Sequence, residues 1–295
     1  MPVTKRILFV HAHPDDECIS TGGTMAKYVS EGVQVTLVTC TLGEEGEVLL
    51  PELSHLASDK DDALGSHRRE ELAAAMAILG VTDSRLLGGA GRFRDSGMIG
   101  TPSNDRPDCF WRTDLLVSAT ELVSVIREIR PQVVVTYDDF GGYGHPDHIQ
   151  AHRVAHYAVD LAENATFRPD LGEAWAVSKF YWTAFPKQVI VDGITAARAH
   201  GIDNDFTRMD PNDLPFACDD DLVTTEVEAS DFVSQKFDAL RAHGTQVTPD
   251  DGFLGVVSTV GAESFGTEYY RLARGHAHRE PGHTRESDLF AGIVE

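Results

Sequence analysis

At 295 residues, 42% hydrophobic and 24% charged, the chain can bury a sizeable core as one large domain or as a domain with a smaller lobe. Lys plus Arg number 25 against 47 Asp plus Glu, a formal charge of −22, and such a surface repels phosphate backbones and anionic lipid. With no run of 18 apolar residues, neither a nucleic-acid partner nor a membrane is expected, and a neutral or cationic small molecule suits the charge balance better.

The first strand-like run, Ile7-Leu8-Phe9-Val10, stops abruptly at His11-Ala12-His13-Pro14-Asp15-Asp16-Glu17. It begins too early to leave room for a signal peptide. Four scattered cysteines, Cys18, Cys40, Cys109 and Cys218, form no CxxC pair and suit reduced thiols. A cytoplasmic protein is therefore expected. Gly22 to Glu31 reads as a helix closed by Gly32, and the β-branched run Val33 to Cys40 as a second strand. A strand, helix, strand succession this short predicts parallel pairing through a right-handed crossover.

Residues 41–65, with Gly43-Glu44-Glu45-Gly46-Glu47, form a connection long enough to suggest function. Ser66 to Leu79 is the next predicted helix, with Ser66 as its N-cap, Leu72, Ala75, Met76 and Leu79 on one face, and Gly80 as its stop. A short strand, Arg85 to Leu87, leads into the glycine-rich loop Gly88 to Met98. Asp114 to Arg130 is the clearest helix: Leu115, Ala119, Leu122, Val123 and Ile126 recur at helical spacing and Pro131 closes it. Val133 to Tyr137 reads as a fully buried strand ending in a second polar cluster, Tyr143-Gly144-His145-Pro146-Asp147-His148. Pro146 suits the first turn of the helix that follows, to about Glu163. One more strand is expected at Phe180 to Phe185, a solvated loop at residues 201–221, an extended segment at Thr224 to Ala229 and a helix at Ser230 to His243.

The expected fold is α/β, a Rossmann-like doubly wound sheet, mostly parallel. Residues 1–186 form the catalytic body, and residues 187–295 form a C-terminal lobe packed on it that helps to close the pocket. In such sheets ligands bind beyond the carboxyl ends of the strands, where both polar clusters fall. His13 and Asp16 from the first cluster and His148 from the second make a two-His, one-carboxylate set with open positions, as in hydrolytic zinc sites. The same set occurs in non-haem iron(II) oxygenases, which the α/β pattern disfavours. Asp15 is placed to take a proton from water. His145, three residues before His148, faces the same side, where Asp147 could orient it or keep it protonated toward a developing oxyanion or leaving amine. Tyr143 could donate its phenol to the same oxygen. Glu17 reads as a supporting partner of the ligands, Cys18 as a buried thiol, and His11, His152 and His156 as structural.

These residues carry a resemblance. HPDDE after the first strand and HPDH after a later one, with Thr39 to Glu47, Gly88 to Met98, Gly141 to His148 and Leu240 to Gln246, resemble the LmbE-like, or PIG-L, family of metal-dependent N-deacetylases. The resemblance implies one zinc ion per chain on His13, Asp16 and His148, with iron(II) as the alternative in the cell. It implies Asp15 as general base, His145 and Tyr143 at the oxyanion, and Arg68 and Asp95 on substrate hydroxyls. Glu47, Met98 and Gln246 are the implied lining of the pocket. The Gly88 to Met98 block resembles members that remove acetate from an N-acetylglucosaminyl-inositol, a small glycoside, in mycothiol biosynthesis. The alternative is the family's mycothiol S-conjugate amidase, which carries a Lys just after HPDDE where this chain has Cys18-Ile19-Ser20-Thr21. Cys18 stands where the family usually has Ser, and is expected to leave metal binding intact while sensitising the site to thiol reagents. Nothing in the sequence indicates an oligomeric state.

Overall fold

The computed structural model describes residues 4–203, 205–210, 213–214, 216–247 and 265–294. Its strands are β1 Arg6–His11, β2 Gln34–Thr39, β3 Asp83–Leu86, β4 Val133–Thr136, β5 Lys179–Ala184, β6 Thr225–Glu228 and β7 Thr267–Arg274. Its helices are α1 Asp16–Ser20, α2 Gly22–Ser30, α3 Leu64–Leu79, α4 Leu115–Ile129, the single turn α5 Gly141–Gly144, α6 Pro146–Glu163, α7 Lys187–Ala199, the short α8 Asp205–Arg208 and α9 Val233–Arg241.

All seven strands form one sheet in the order β3-β2-β1-β4-β5-β7-β6. The first five run parallel, while β7 is antiparallel to both β5 and β6. Strand alternation divides the core. Ile7, Phe9, Val133 and Val135 face one layer with residues of α2, α3 and α9, while Leu8, Val10 and Val134 face another with α4 and α6. Buried on both faces, β1 and β4 read as continuous apolar runs. The chain leaves β1 for β2 on one side and pairs β4 on the other, so the order reverses between β1 and β4. This is the switch point at which a doubly wound sheet opens a crevice.

Several expected boundaries hold. Asp114 caps α4 by accepting from Leu116 N at 2.8 Å, and Pro146 opens α6. Others are corrected. The third helix begins at Leu64, not at Ser66, because Leu64 and Gly65 are themselves buried against the body; Ser66 caps nothing. The long connection before it contains a 3₁₀ segment, Pro51–Leu56. Helix α7 was not expected. Its Ile190, Ile194 and Ala197 are buried, and Ile190 and Ile194 cluster with Leu214 from the acidic stretch read as a solvated loop. Of that stretch, residues 204, 211, 212 and 215 lie outside the described residues.

Residue 186 does not bound the sheet. β6 and β7 complete the sheet begun by the N-terminal strands, and Glu286 ties the chain's end to its middle. Buried Glu286 accepts from Lys179 Nζ at 2.5 Å, Tyr181 Oη at 2.9 Å and Thr225 Oγ1 at 2.9 Å. Among the described residues no helix is long and apolar enough to cross a membrane.

A second buried carboxylate does comparable work. Glu268 on β7 accepts from Gly23 N (2.9 Å) and Thr24 N (2.8 Å) at the start of α2 and from Lys236 Nζ (2.8 Å) on α9. A negative charge there complements the helix end. Although burial opposes it, Lys236 and the Thr24 bonds hold this carboxyl below its usual range. A depressed folded pKa means that the stabilisation is fully present above the ordinary glutamate range and is lost as pH falls from that range through the lower folded value. Glu268→Ala should therefore cost about 3–5 kcal/mol at neutral pH, since it leaves Lys236 buried and unpaired, and should flatten the acid limb of stability. Urea unfolding across that pH range checks both; a loss under about 1 kcal/mol at neutral pH would contradict the assignment.

Candidate active site

His13, Asp15 and Asp16 leave the end of β1, and His145, Asp147 and His148 follow β4 at the start of α6. The two clusters meet at the switch point. His13 Nδ1 lies 3.3 Å from His148 Nε2 and 3.3 Å from Asp16 Oδ2, and His148 Nε2 lies 3.3 Å from the same Asp16 oxygen. The outer atoms of the set are fixed by partners. His13 Nε2 donates to Asp147 Oδ2 at 3.3 Å, His148 Nδ1 to Gly141 O at 3.1 Å, and Tyr137 Oη to Asp16 Oδ2 at 2.8 Å. These partners assign the tautomers, so both inward nitrogens present lone pairs to each other and to a carboxylate. Three such donors facing one another suit a cation or a shared proton. Edges of about 3.3 Å are also what tetrahedral donors spaced about 2.0 Å from a zinc ion require. The donor set fits a divalent metal, and its remote N–H groups end on a carboxylate and a carbonyl, as metal-ligating imidazoles do.

Other donors lie close by. His145 brings a third imidazole to within 4.8 Å of those of His13 and His148, and Asp95 and Asp147 flank the far side of His13 at 3.5 and 3.3 Å from Nε2. Burial notwithstanding, Asp95, Asp147 and Asp16 hold the His13 imidazole well above its ordinary pKa. Against the same burial, His148 and His13 hold Asp16 well below the carboxylate range.

Backbone geometry makes these approaches possible. Gly141 has φ +67°, and a Cβ there would meet His148 Cβ at 2.6 Å and Ile149 N at 2.7 Å. Only glycine lets its carbonyl reach His148 Nδ1. Asp15, at φ 107° and ψ −34°, occupies a region costing on the order of 1–3 kcal/mol for a residue with a Cβ. Its carboxylate accepts from Arg68 Nη2 at 3.0 Å, and that guanidinium also reaches Pro14 O and Gly43 O. Burial pushes the Asp15 carboxyl up to about 6 against the pull of Arg68.

Two expectations about the second cluster are corrected. The carboxylate of Asp147 does not orient His145. It accepts from Ser96 N at 2.8 Å, from Ser96 Oγ and from His13, because the Gly88 to Met98 loop folds over it. Nor is His145 kept protonated. Burial, with His13 and His148, lowers its pKa to about 3, and its Nδ1 accepts from Asp147 N at the start of α6. Its single proton therefore sits on Nε2. Tyr143 lies with its ring 5.0 Å from that of His148, and desolvation of its hydroxyl, with the nearby Asp16 charge, holds its phenol above the usual range.

The residues named for substrate contact are scattered in character. Arg68 and Asp95 are both 3% exposed and already engaged: Arg68 as above, Asp95 by Gly97 N (2.8 Å) and Glu45 N (3.1 Å). Met98 and Glu47 are exposed, and Gln246 Nε2 donates to Glu47 O at 3.0 Å, bringing the C-terminal segment to the loop after β2. His11 is bonded to Tyr137 Oη and Thr21 Oγ1, and His156 accepts from Trp182 Nε1. Three contributors went unread: Tyr137, Ser96 and His243. Tyr137 had a signal, its place at the end of a buried strand; Ser96 and His243 lie in the blocks Gly88 to Met98 and Leu240 to Gln246 that carry the resemblance, but nothing local marks their partners.

A family model described as GlcNAc-PI de-N-acetylase, PIG-L, matches residues 8–159. A 1D-myo-inositol 2-acetamido-2-deoxy-alpha-D-glucopyranoside deacetylase of Geodermatophilus obscurus is 55% identical over 294 residues, covering 99% of this chain and 99% of that protein. One named 1D-myo-inositol 2-acetamido-2-deoxy-alpha-D-glucopyranoside deacetylase 1, from Catenulispora acidiphila, is 53% identical, covering 98% and 90%. Among solved structures, the N,N'-diacetylchitobiose deacetylase of Pyrococcus horikoshii aligns with a TM-score of 0.61 at 20% identity, covering 91% of this chain and 83% of that one, a likeness of fold.

Proposed function

The chain belongs to the PIG-L family of GlcNAc-PI de-N-acetylases, and from that membership we propose that it hydrolyses the N-acetyl amide of 1-D-myo-inositol 2-acetamido-2-deoxy-α-D-glucopyranoside, releasing acetate in mycothiol biosynthesis. The observation that carries the substrate is identity of 55% and 53% along nearly the whole chain to relatives named for that reaction, not for S-conjugate cleavage. What supports the chemistry is the triangle of donors on His13, Asp16 and His148, read here as the ligands of one zinc ion, with iron(II) as the alternative in the cell. The reaction is placed in the cytoplasm.

A bound divalent ion would acidify water, whose pKa falls from about 15.7 to about 7 on such ions, and would polarise the amide carbonyl. The residues divide the remaining work. Asp15, half-buried and anchored by Arg68, takes a proton from the attacking water and can return it to the leaving amine. His145 serves as a neutral donor: with Nδ1 already accepting, it offers Nε2–H to the developing oxyanion. Tyr143, kept as a phenol, adds a second donor. Asp147 holds His13 in the tautomer that leaves Nδ1 free, so it orients a ligand without touching substrate. Arg68, whose buried Nε has no hydrogen-bond partner in the structure, is read as the residue that meets a substrate hydroxyl.

The test is metal analysis of the purified chain, then chelation and re-addition of zinc or iron(II) with acetate release measured on the glycoside and cleavage on a mycothiol S-conjugate in parallel. One equivalent of metal, loss of turnover on chelation, recovery on re-addition and preference for the glycoside are expected. Acetate release indifferent to chelation would sink the metal chemistry, and faster S-conjugate cleavage would sink the substrate assignment.

A further inference from the structure

The strained backbone of Asp15 is held by the residues that follow it, and one of these is itself met from far along the chain. Its N–H donates to Glu17 Oε2 at 3.0 Å, and its carbonyl accepts from Cys18 N at 3.0 Å. Glu17 is 0% exposed, and no Lys or Arg hydrogen-bonds to it among the described residues. What meets it is His243 Nε2 at 2.8 Å and Cys18 Sγ at 3.1 Å, both on Oε1, which leaves Oε2 to Asp15. His243 is likewise 0% exposed. It sits in the tight turn after α9, where its carbonyl accepts from Gln246 N and Val247 N, and α9 packs on α1, α2 and α3. Its Nδ1 has no partner in the structure. A buried imidazole that leaves one nitrogen unsatisfied to make a single side-chain contact marks that contact as specific.

Glu17, Cys18 and His243 could also be taken for a second metal site, since their donor atoms lie within 4.8 Å of one another. The 2.8 Å separation of His243 and Glu17 is instead that of a charge-assisted hydrogen bond, with a proton between the two atoms.

We propose that Glu17 and His243 are positioning residues for the general base: His243 anchors Glu17, and the second oxygen of Glu17 holds the Asp15 peptide in the conformation that sets its carboxylate. The inference rests on the deacetylase reading. It adds that a residue 226 positions beyond Glu17, outside the segment matched by the family model, determines how the motif's base is aimed. A carboxylate can grip that peptide only if its other oxygen is fixed and its buried charge is met, and His243 does both.

The experiment compares Glu17→Met, Glu17→Gln, His243→Phe and His243→Gln with the wild-type chain for kcat, KM, zinc content and melting temperature, acetate release from the glycoside being the rate assay. Glu17→Met and His243→Phe should lower kcat by about 10–100-fold with KM and the single zinc retained. Glu17→Gln keeps an oxygen for the Asp15 N–H and His243→Gln keeps a donor for Glu17, so each should recover most of that loss. The losses from Glu17→Met and Asp15→Ala should not add, because both act through one carboxylate. Wild-type kcat in Glu17→Met, a loss that tracks departing zinc, a second zinc equivalent that vanishes with His243, or glutamine variants as poor as the apolar ones would each overturn the proposal. If Glu17→Met does not fold, His243→Phe, which leaves the carboxylate and removes only its anchor, carries the same comparison. A wild-type chain that releases no acetate overturns the deacetylase reading and this inference with it; an active wild type with unaffected variants overturns the inference alone.

Discussion

Alanine at position 15 is expected to lower kcat for acetate release by about 10²–10⁴-fold, the range of a positioned general base, while the chain keeps its metal. The two halves of that statement rest on different contacts. The Asp15 carboxylate stands outside the 3.3 Å triangle of His13, Asp16 and His148 and is gripped by Arg68, so its removal takes away no donor. Its loss should also relax the turn, because alanine at φ 107° keeps the strain and loses the Arg68 bond that helps to hold it. The discriminating measurement is metal content beside kcat. Metal lost together with activity would make Asp15 a ligand, and a rate close to wild type would remove it from the chemistry.

His148→Ala is expected to be the more damaging change, abolishing stoichiometric metal binding and lowering kcat by about 10³-fold or more. That is the several kcal/mol a Lewis acid contributes, at about 1.4 kcal/mol per factor of ten. His148 supplies one corner of the triangle and lies under the Tyr137 ring, the centroids 4.2 Å apart and nearly parallel. A thermal readout separates the metal from the packing. Because an ion that binds only the folded chain stabilises it, the wild-type melting temperature should fall on chelation, whereas that of His148→Ala should not move. A variant with a full equivalent of zinc would show that another group, His145 being nearest to hand, completes the set.

Much of this is legible in the sequence. The apolar runs of β1 and β4 end at HPDDE and near HPDH because strands buried on both faces read as unbroken hydrophobic stretches, and polar residues appear only where the chain leaves the sheet. Asp114 and Pro146 marked helix starts through local backbone chemistry that needs no tertiary partner. Ser66 failed by the same token, since burial of Leu64 and Gly65 overrode a capping preference worth about 1 kcal/mol. Helix α7 and the sheet membership of β6 and β7 escaped notice because edge and covering elements are only partly apolar, and their pattern shows once the surface they cover is known.

Local sequence by itself determined which side chains are available to do chemistry: the two polar clusters, their residue types and their place at strand ends. Those follow from interactions within a few residues, where backbone preference and apolar spacing act. The tertiary structure alone decided what each side chain does with its other atoms. Asp147 turned to His13 and Ser96, and His145 stayed neutral. Arg68 was bound to Asp15, and Glu17 was met by His243. Apart from the pKa of His145, these are hydrogen bonds between groups 51 to 226 residues apart. Their strength comes from burial, and burial is created when the sheet and its covering helices close together.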